Sequence, residues 1–190
     1  MEQAVIVLTA DESMMSEFRD FLYNGYAACF PTHLLTESAF KAFCPPVECY
    51  PDGRAKLAPL PLRLLESILR RSGFRQGEYA TIHPKYLDSF IGPKTRVVGV
   101  STIDPQGLGS ITKTLCSLHG GVPYSKELFT NMLRRIKLLK ERHSFKVIAG
   151  GPGAWQLASE GLLDELGIDH LVIGEAENVV PRLFAEIASG

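Results

Sequence analysis

The sequence predicts an α/β fold, a doubly wound parallel sheet of five strands with helices on both faces. Short β-branched apolar runs without polar alternation recur along the chain, which is typical of strands buried on both faces. Amphipathic helical patterns lie between these runs. The chain has 190 residues, 45% of them hydrophobic, and a formal net charge of -1, which fits a single compact domain.

The strands are predicted from five segments of the sequence. Residues 4–8 (AVIVL), 96–100 (RVVGV), 146–149 (KVIA) and 170–173 (HLVI) are near-continuous apolar runs, and residues 78–82 (EYATI) are a weaker candidate. Alternation of such strands with helices implies right-handed crossover connections. The expected sheet is therefore Rossmann-like, or flavodoxin-like, with all its strands parallel.

Three helices are predicted between and after these strands. Apolar side chains recur at helical spacing in residues 60–72, 126–142 and 178–188. Ser125 is the expected N-cap of the second helix, and Gly73 is the expected C-terminal cap of the first. We expect the apolar faces of these helices to cover the two faces of the sheet.

Residues 13–59 interrupt the alternation of strands and helices. The segment is too long for an ordinary loop and too apolar for disorder. Its aromatic side chains are Phe18, Phe21, Tyr23, Tyr26, Phe30, Phe40, Phe43 and Tyr50. We predict a helical insertion within one domain of residues 1–190, with part of its apolar surface at the strand-end edge of the sheet, as a lid or as a contact for another domain. The alternative is an insertion with its own small core that leaves this edge open.

Charge and hydropathy exclude two classes of partner. A net charge of -1 and a sequence pI of about 6.5 provide no basic surface for nucleic acid. No apolar run approaches the roughly 20 residues that a membrane span needs. The N-terminus also lacks the basic and then apolar pattern of a signal peptide. We therefore expect a cytoplasmic protein without a membrane or nucleic-acid partner.

The four cysteines, Cys29, Cys44, Cys49 and Cys116, form no paired C-x-x-C units. Cys44 and Cys49 flank Pro45-Pro46 and could ligate a metal ion, but no second pair of ligands has a matching spacing. Buried or incidental thiols are the favoured interpretation. The sequence therefore predicts no metal site.

The candidate site follows the ends of the predicted strands, because ligands of open parallel sheets bind beyond the carboxyl ends of the strands. The residues at these ends offer hydroxyls, carboxylates and backbone without side chains. They are Asp11, Ser13, Ser101, Thr102, Ile103, Asp104, Gly150, Gly151, Pro152, Gly153, Glu175 and Glu177. We predict that they converge on one binding edge, although Glu175 and Glu177 would also suit the start of a helix, where the dipole favours acids.

Two familiar uses of this architecture do not fit the sequence. A response-regulator receiver needs an aspartate at the end of the third strand and a lysine after the fifth, where this chain has Ser101 and Gly174-Glu175. A dinucleotide-binding domain needs G-x-G-x-x-G directly after the first strand, and residues 9–11 are Thr-Ala-Asp.

Two motifs near the C-terminus carry a resemblance to a known family. "KVIAGGPGAWQL" followed by "GIDHLVIGEAENVVPRLFAEI" resembles the end of the cobalamin-binding-like domain at the N-terminus of many radical S-adenosylmethionine (radical SAM) enzymes. That domain reads as strand, Gly-Gly-Pro, short helix, G-x-D, strand, G-E-x-E and helix. The resemblance is close over residues 94–187, and it extends in outline to residues 4–8 and 60–74.

The resemblance also implies roles for individual residues. In such domains the nucleotide tail of cobalamin lies in a groove, where a Ser-x-Leu motif after the third strand and a Gly-Gly motif after the fourth contact it. Residues 101–103 are similar to the first motif, with Ile103 in place of leucine, and Gly150-Gly151 matches the second. A hydroxyl could bond a ring nitrogen, and bare backbone would let a flat base lie close. We therefore expect a side chain at Gly151 to project into the groove and to impair binding more than folding.

The loop after the first strand departs from the family. The cobalt-ligating pattern D-x-H-x-x-G would start at Asp11, but Ser13 occupies the position of the histidine and Ser16 that of the glycine. A serine hydroxyl does not ligate cobalt as an imidazole does. Radical enzymes of this family often hold cobalamin without a histidine from the protein, and other members keep the domain and bind no cobalamin.

The catalytic half of such an enzyme is a barrel whose C-x-x-x-C-x-x-C loop binds a four-iron four-sulfur cluster and S-adenosylmethionine. No three cysteines of this chain have that spacing. The resemblance therefore implies a non-catalytic accessory domain that binds cobalamin, or keeps a vestigial cobalamin site, and packs on the radical SAM barrel of its parent protein. The alternative is a cofactor-free structural module of the same enzyme.

Overall fold

The computed structural model describes residues 4–18 and 21–189, and it contains one parallel sheet of five strands in the order β2-β1-β3-β4-β5. The strands are β1 (Ile6–Ala10), β2 (Tyr79–Thr81), β3 (Val97–Ser101), β4 (Lys146–Gly150) and β5 (His170–Val172). The prediction of a doubly wound α/β fold is confirmed, including the weaker candidate β2, which lies at one edge.

β1 was predicted at residues 4–8, but it begins at Ile6 and continues to Ala10. Thr9 and Ala10 stay in register with Val100 and Ser101 of β3. The Thr9 hydroxyl also donates a hydrogen bond of 2.8 Å to the carbonyl oxygen of Ile82. Sheet pairing therefore continues beyond the apolar run, and the loop at the end of the strand begins at Asp11.

Seven helices lie within the described residues: α1 (Glu37–Phe43), α2 (Leu60–Arg71), α3 (Leu87–Phe90), α4 (Ser110–His119), α5 (Tyr124–Lys140), α6 (Leu162–Leu166) and α7 (Val180–Ser189). Gly73 follows α2 with a φ of 95°, as expected for a glycine at a helix end. None of these helices combines the length and the apolar character that a membrane crossing requires. The sequence analysis did not predict α4, which buries Thr112 alone, although its amphipathic pattern is comparable to that of α5.

The prediction that Ser125 caps the long helix is wrong. α5 begins at Tyr124, with Pro123 at the N-cap position. The Tyr124 hydroxyl donates a hydrogen bond of 2.7 Å to the Leu35 carbonyl oxygen, and its ring stacks on Phe40 at 4.3 Å between centroids. These tertiary contacts hold Tyr124 in helical position, and they leave Ser125 inside the first turn.

Helices cover both faces of the sheet. On one face, α3, α5 and α6 pack against the strands around Val98 and Phe129. On the other face, α2 and α7 pack around Leu8 and Phe184. Every residue of β1 and β3 is buried, as the continuous apolar runs indicate.

Residues 13–59 form a less regular insertion than predicted. Within its described part the helical segments are α1 and a 3-10 run at Leu22–Cys29, and Pro45, Pro46 and Pro51 keep the chain after α1 from continuing as helix. The insertion has a small core of its own, formed by Ala27, Phe40 and Cys44 against Tyr124. Its exposed aromatic side chains are Phe21, Tyr23, Tyr26, Phe30, Phe43 and Tyr50. Six of the eight aromatic side chains named in the sequence of the insertion are therefore exposed.

Candidate functional site

Two separate cavities open at the carboxyl ends of the strands. The first, here called the Ser101 groove, has a volume of about 420 Å³ and lies among the ends of β3, β4 and β5 and helices α2 and α7. The second, here called the Asp11 cavity, has a volume of about 580 Å³ and lies between the loops after β1 and β3 and the insertion. The structure therefore divides the predicted binding edge into two sites.

The predicted site residues divide between these cavities. Ser101, Gly150, Gly151, Pro152, Glu175 and Glu177 line the Ser101 groove. Asp11, Ser13, Ile103 and Asp104 line the Asp11 cavity. Thr102 and Gly153 are in neither lining. They take part in hydrogen bonds that join the loop after β3 to the loop after β4.

The walls of the Ser101 groove are mostly apolar. Leu64 and Leu65 of α2 form one side, and Val180 and Phe184 of α7 form another. Trp155 lies at the opening with 55% of its surface exposed. Trp155 was not predicted as a site residue, although it stands two residues after the Gly-Gly-Pro-Gly turn and is the one tryptophan of the chain. An exposed indole beside an apolar groove offers a stacking surface for a flat ligand.

Gly99 in the middle of β3 also lines the groove. A Cβ at this position would lie 2.8 Å from Cδ2 of Leu8 and 3.2 Å from Cζ of Phe184. The packing of α7 on the sheet therefore accounts for this glycine. A glycine within an apolar strand was the available signal in the sequence, because it marks a close approach of another group.

Ser101 supplies a polar atom that the protein does not satisfy. The residue ends β3 and is 3% exposed, and no hydrogen-bond partner of its Oγ is found among the described residues. Leaving a buried hydroxyl without a partner costs about 1–3 kcal/mol. Within the described residues the Ser101 hydroxyl therefore keeps an unused capacity to donate or accept a hydrogen bond, beside a groove whose walls are mostly apolar.

The Gly-Gly-Pro-Gly turn has a different role from the one expected of Gly151. The φ of Gly151 is 103°, and a Cβ there would lie 2.7 Å from the carbonyl oxygen and 3.1 Å from the amide nitrogen of Thr102. The expectation that a side chain would project into the groove is wrong, because it would meet the backbone of the loop after β3. A Cβ at Gly153 would likewise meet the carbonyl of Ile103.

Hydrogen bonds fasten the same two loops together. The Thr102 amide donates to the Gly150 carbonyl oxygen at 2.8 Å, and the Gly153 amide donates to the Thr102 carbonyl oxygen at 3.1 Å. The Thr102 hydroxyl donates to the Gly150 carbonyl oxygen at 3.2 Å. Gly150 has more room, since its Cβ would lie 3.5 Å from the Val172 carbonyl oxygen. The bare backbone thus allows the strand ends to approach closely and sets one wall of the groove.

Glu175 and Glu177 lie at the mouth of the Ser101 groove and are exposed. Glu175 occupies the N-cap position of a 3-10 turn at Ala176–Asn178, but its side chain makes no capping hydrogen bond. Gly174 precedes it with a φ of 99° and has open space where a Cβ would stand. The two carboxylates therefore give this opening a negative edge.

In the Asp11 cavity, Asp11 and Ser13 are tied to each other. Oδ1 of Asp11 accepts hydrogen bonds from the Ser13 amide at 2.9 Å and from the Ser13 hydroxyl at 2.5 Å. Ser13, in the position of the family's histidine, therefore uses its hydroxyl on Asp11. Asp11 is 5% exposed, and burial raises the pKa of its carboxyl group, although the hydrogen bonds from Ser13 and Met14 counteract part of this effect.

Asp104 organises the loop after β3. Its Oδ1 accepts hydrogen bonds of 2.8 Å from the Gly109 amide and from Nε2 of Gln156, and its Oδ2 accepts one of 2.6 Å from the Thr112 hydroxyl. Both oxygens are therefore engaged in joining the start of α4 to the segment after β4. Ile103, which is 54% exposed, contributes an apolar side chain to the cavity.

Two further polar side chains at this end of the sheet were not predicted. Ser125 in the first turn of α5 is 7% exposed and lines the Asp11 cavity, and its Oγ has no hydrogen-bond partner among the described residues. His83, two residues after β2, is 4% exposed. Its Nδ1 accepts a hydrogen bond from the Lys85 amide, and burial together with the charges of Lys85 and Arg135 lowers the pKa of His83 to about 4.

Two of the cysteines donate hydrogen bonds to nearby carbonyl oxygens. Burial raises the pKa of Cys44 to about 11, and its Sγ donates to the Asn24 carbonyl oxygen, while Cys49 donates to the carbonyl oxygen of Val47. Throughout residues 4–18 and 21–189, no group of three His, Cys, Asp or Glu side chains is arranged to hold a metal ion.

Comparison with known proteins finds no match to this chain. No protein-family model matches it, and neither a curated protein nor a solved structure does so. The geometry of the two cavities and the resemblance in the C-terminal motifs are therefore the basis for a functional proposal.

Proposed function

We propose that the Ser101 groove is a binding site for the flat nucleotide base of cobalamin, or the vestige of such a site, in an accessory domain of a radical SAM enzyme. The observation that carries this proposal is the buried Ser101 hydroxyl, for which the described part of the chain offers no hydrogen-bond partner, beside a mostly apolar groove. A benzimidazole base is flat and apolar and has a ring nitrogen that can accept a hydrogen bond. A site for such a base needs one hydrogen-bond donor for the ring nitrogen and apolar walls for the faces of the ring.

The dimensions of the groove support the same ligand class. A volume of about 420 Å³ lies within the range usual for small-molecule sites. The Gly150-Gly151 backbone forms one wall, so that a ring can approach the main chain without a side chain between them. The Trp155 indole at the opening adds a surface on which a base can stack.

The residues fit the tail of cobalamin, but they do not supply a histidine for the cobalt. In the loop after β1, Ser13 stands in the histidine position and is bonded to Asp11. We propose that a corrinoid held here would have no imidazole ligand from this loop. When bound, cobalamin would supply methyl-transfer or redox chemistry, and the residues described above would bind and orient its base.

The proposed partner is the radical SAM barrel of the parent protein, which would hold the four-iron four-sulfur cluster and S-adenosylmethionine. The exposed aromatic side chains of the insertion, among them Phe21, Tyr23 and Phe30, support docking, because exposed apolar clusters on a domain commonly mark contact surfaces. In this proposal the present chain is non-catalytic, and it orients the cofactor and partner.

A titration with hydroxocobalamin tests the proposed cofactor. Visible absorbance and gel filtration would follow the corrinoid, and the single tryptophan gives one indole N–H signal in a ¹H–¹⁵N spectrum that reports on the groove directly. We expect co-elution of corrinoid and a saturable shift of the Trp155 indole signal. Absence of both would contradict cobalamin binding by this domain.

The cofactor-free structural module remains a second candidate, and one observation favours it. The polar atoms of Thr102 and Asp104 are engaged within the protein and hold the loops together, as a docking surface without a ligand would need. The Trp155 indole signal separates the two candidates, because Trp155 lines the groove. A saturable shift on addition of hydroxocobalamin would favour the cofactor site, whereas an unshifted signal would favour the module.

A further inference from the structure

The Asp11 cavity, like the Ser101 groove, has mostly apolar walls and acidic groups, but one of its carboxyl groups, that of Asp11, is buried whereas Glu175 and Glu177 are exposed. Apolar side chains such as Met14, Val47 and Leu57 form most of its surface. Its ionisable carboxyl groups belong to Asp11, Glu17 and Asp104, and no lysine, arginine or histidine is found among the described residues that line it. A cavity of about 580 Å³ with this lining favours an apolar molecule that carries a positive charge.

Asp11 is the carboxylate that such a charge would reach. Asp104 is occupied on both oxygens, and Glu17 is exposed to solvent, where a charge pair is weak. Asp11 is buried, and none of the ion pairs formed within the described residues includes it. A buried carboxylate without a cation is costly, which is also why burial raises the pKa of Asp11.

Ser125 provides a second, independent indication of a ligand. Ser125 lines the same cavity and is more than nine-tenths buried, and its hydroxyl has no partner among the described residues. The residue stands in the first turn of α5, a helix of 17 residues. A helix N-terminus favours the acceptor end of a ligand over a positive charge. The ammonium group is therefore expected at Asp11, and a hydrogen-bond acceptor at Ser125.

We propose that the Asp11 cavity binds a small apolar amine that also carries a hydrogen-bond acceptor, with its ammonium group at Asp11 and its acceptor at the Ser125 hydroxyl. This site is distinct from the Ser101 groove and does not depend on cobalamin binding there. Ser13 and the Met14 amide hold Asp11 from one side through Oδ1. The carboxylate is thus oriented without neutralisation by the protein.

Three matched probes separate the two expected interactions: phenylalaninamide has both polar groups, phenethylamine has the ammonium alone, and 3-phenylpropanamide has the acceptor alone. Binding would be followed by shifts of amide signals in ¹H–¹⁵N spectra. We expect phenylalaninamide to bind most tightly, phenethylamine roughly tenfold more weakly, and 3-phenylpropanamide without saturation. Equal binding of 3-phenylpropanamide and the two amines would overturn the proposal.

Two variants test the residues themselves. Asp11→Asn keeps an oxygen for the Ser13 and Met14 hydrogen bonds and removes the charge, and we expect it to weaken both amines by roughly tenfold or more. Ser125→Ala should weaken phenylalaninamide and leave phenethylamine unchanged. Ser101→Ala is the control in the other cavity and should alter neither affinity. If Asp11→Asn proves unstable, the Ser125→Ala comparison still decides, because equal losses for both amines would contradict the assigned orientation.

Discussion

The two cavities at the carboxyl ends of the strands are built in different ways. The Ser101 groove is framed by strand ends whose backbones are hydrogen-bonded to each other and by two helices packed on the sheet. The Asp11 cavity is closed by an insertion that has a small core of its own and several exposed aromatic rings. The groove therefore depends on the backbone of the sheet, and the cavity depends on long-range packing of a satellite segment. Substitutions in the loops of the groove should accordingly cost more stability than substitutions that loosen the insertion.

The largest effect is expected for Gly151→Val. The new side chain would require an unfavourable positive φ and would meet the Thr102 backbone, so that we expect a loss of at least about 3 kcal/mol in the free energy of unfolding. Chemical denaturation measures this loss. Gly174→Ala is the matched control, because its φ is also positive but the space around it is open. It should lose only about 1–2 kcal/mol. Equal losses in the two variants would show that the close contact with Thr102 is unimportant.

An effect of similar size is expected in the pH dependence of the free energy of unfolding, and it comes from His83, which follows β2. Burial, with smaller effects of Lys85 and Arg135, lowers the pKa of His83 from 6.5 to about 4. Because the unfolded chain then binds a proton at higher pH than the folded protein does, the stability present above pH 6.5 is lost as the pH falls towards 4. The full loss would be about 3 kcal/mol.

The variant His83→Gln isolates this contribution. Asp11, whose pKa is raised, changes the stability in the opposite direction in acid, and the difference between wild type and variant removes its effect. We expect denaturation curves between pH 7 and pH 4.5 to show a flatter dependence for His83→Gln. Parallel curves for the two proteins would mean that His83 titrates normally in the folded state.

A smaller effect is expected in the insertion. Tyr124→Phe removes the hydrogen bond to the Leu35 carbonyl oxygen and preserves the stacking on Phe40, so that we expect a loss of about 1 kcal/mol. Hydrogen exchange should become faster in α1 and its flanking residues while the amides of β3 and β4 keep their protection. A uniform increase over the whole domain would contradict the separation of the insertion from the sheet.

The sheet could be predicted from the sequence because burial on both faces leaves continuous apolar runs such as VVGV and KVIA. Ser101 and Gly150 could be placed near each other for the same reason, since parallel strands end at one edge. The role of Gly151 could not be predicted. Glycine in a sequence indicates freedom of the backbone, but it does not tell which neighbour a side chain would strike.

The sequence did not predict that Asp11, Ser13, Ile103 and Asp104 line a cavity separate from the Ser101 groove. The walls of this cavity come from Met14, Val47 and Leu57, which are far apart in the chain and are brought together by tertiary packing. Serine is a favoured N-cap residue, so the sequence places the start of the helix after Ser125. The contacts of Tyr124 with Leu35 and Phe40 instead let the helix begin at Tyr124. α4 was missed although Ile111, Leu115 and Leu118 recur at helical spacing, which was an available signal.

The most direct test of the central claim is a comparison of wild type with Ser101→Ala in the presence and absence of hydroxocobalamin. Without ligand, removal of a buried hydroxyl that has no partner among residues 4–18 and 21–189 should leave the free energy of unfolding unchanged or raise it by up to about 1 kcal/mol. With ligand, the affinity reported by the Trp155 indole signal should fall by roughly tenfold, because the hydrogen bond to the base is lost. A variant that binds hydroxocobalamin as tightly as wild type, or a wild type that does not bind it at all, would contradict the account.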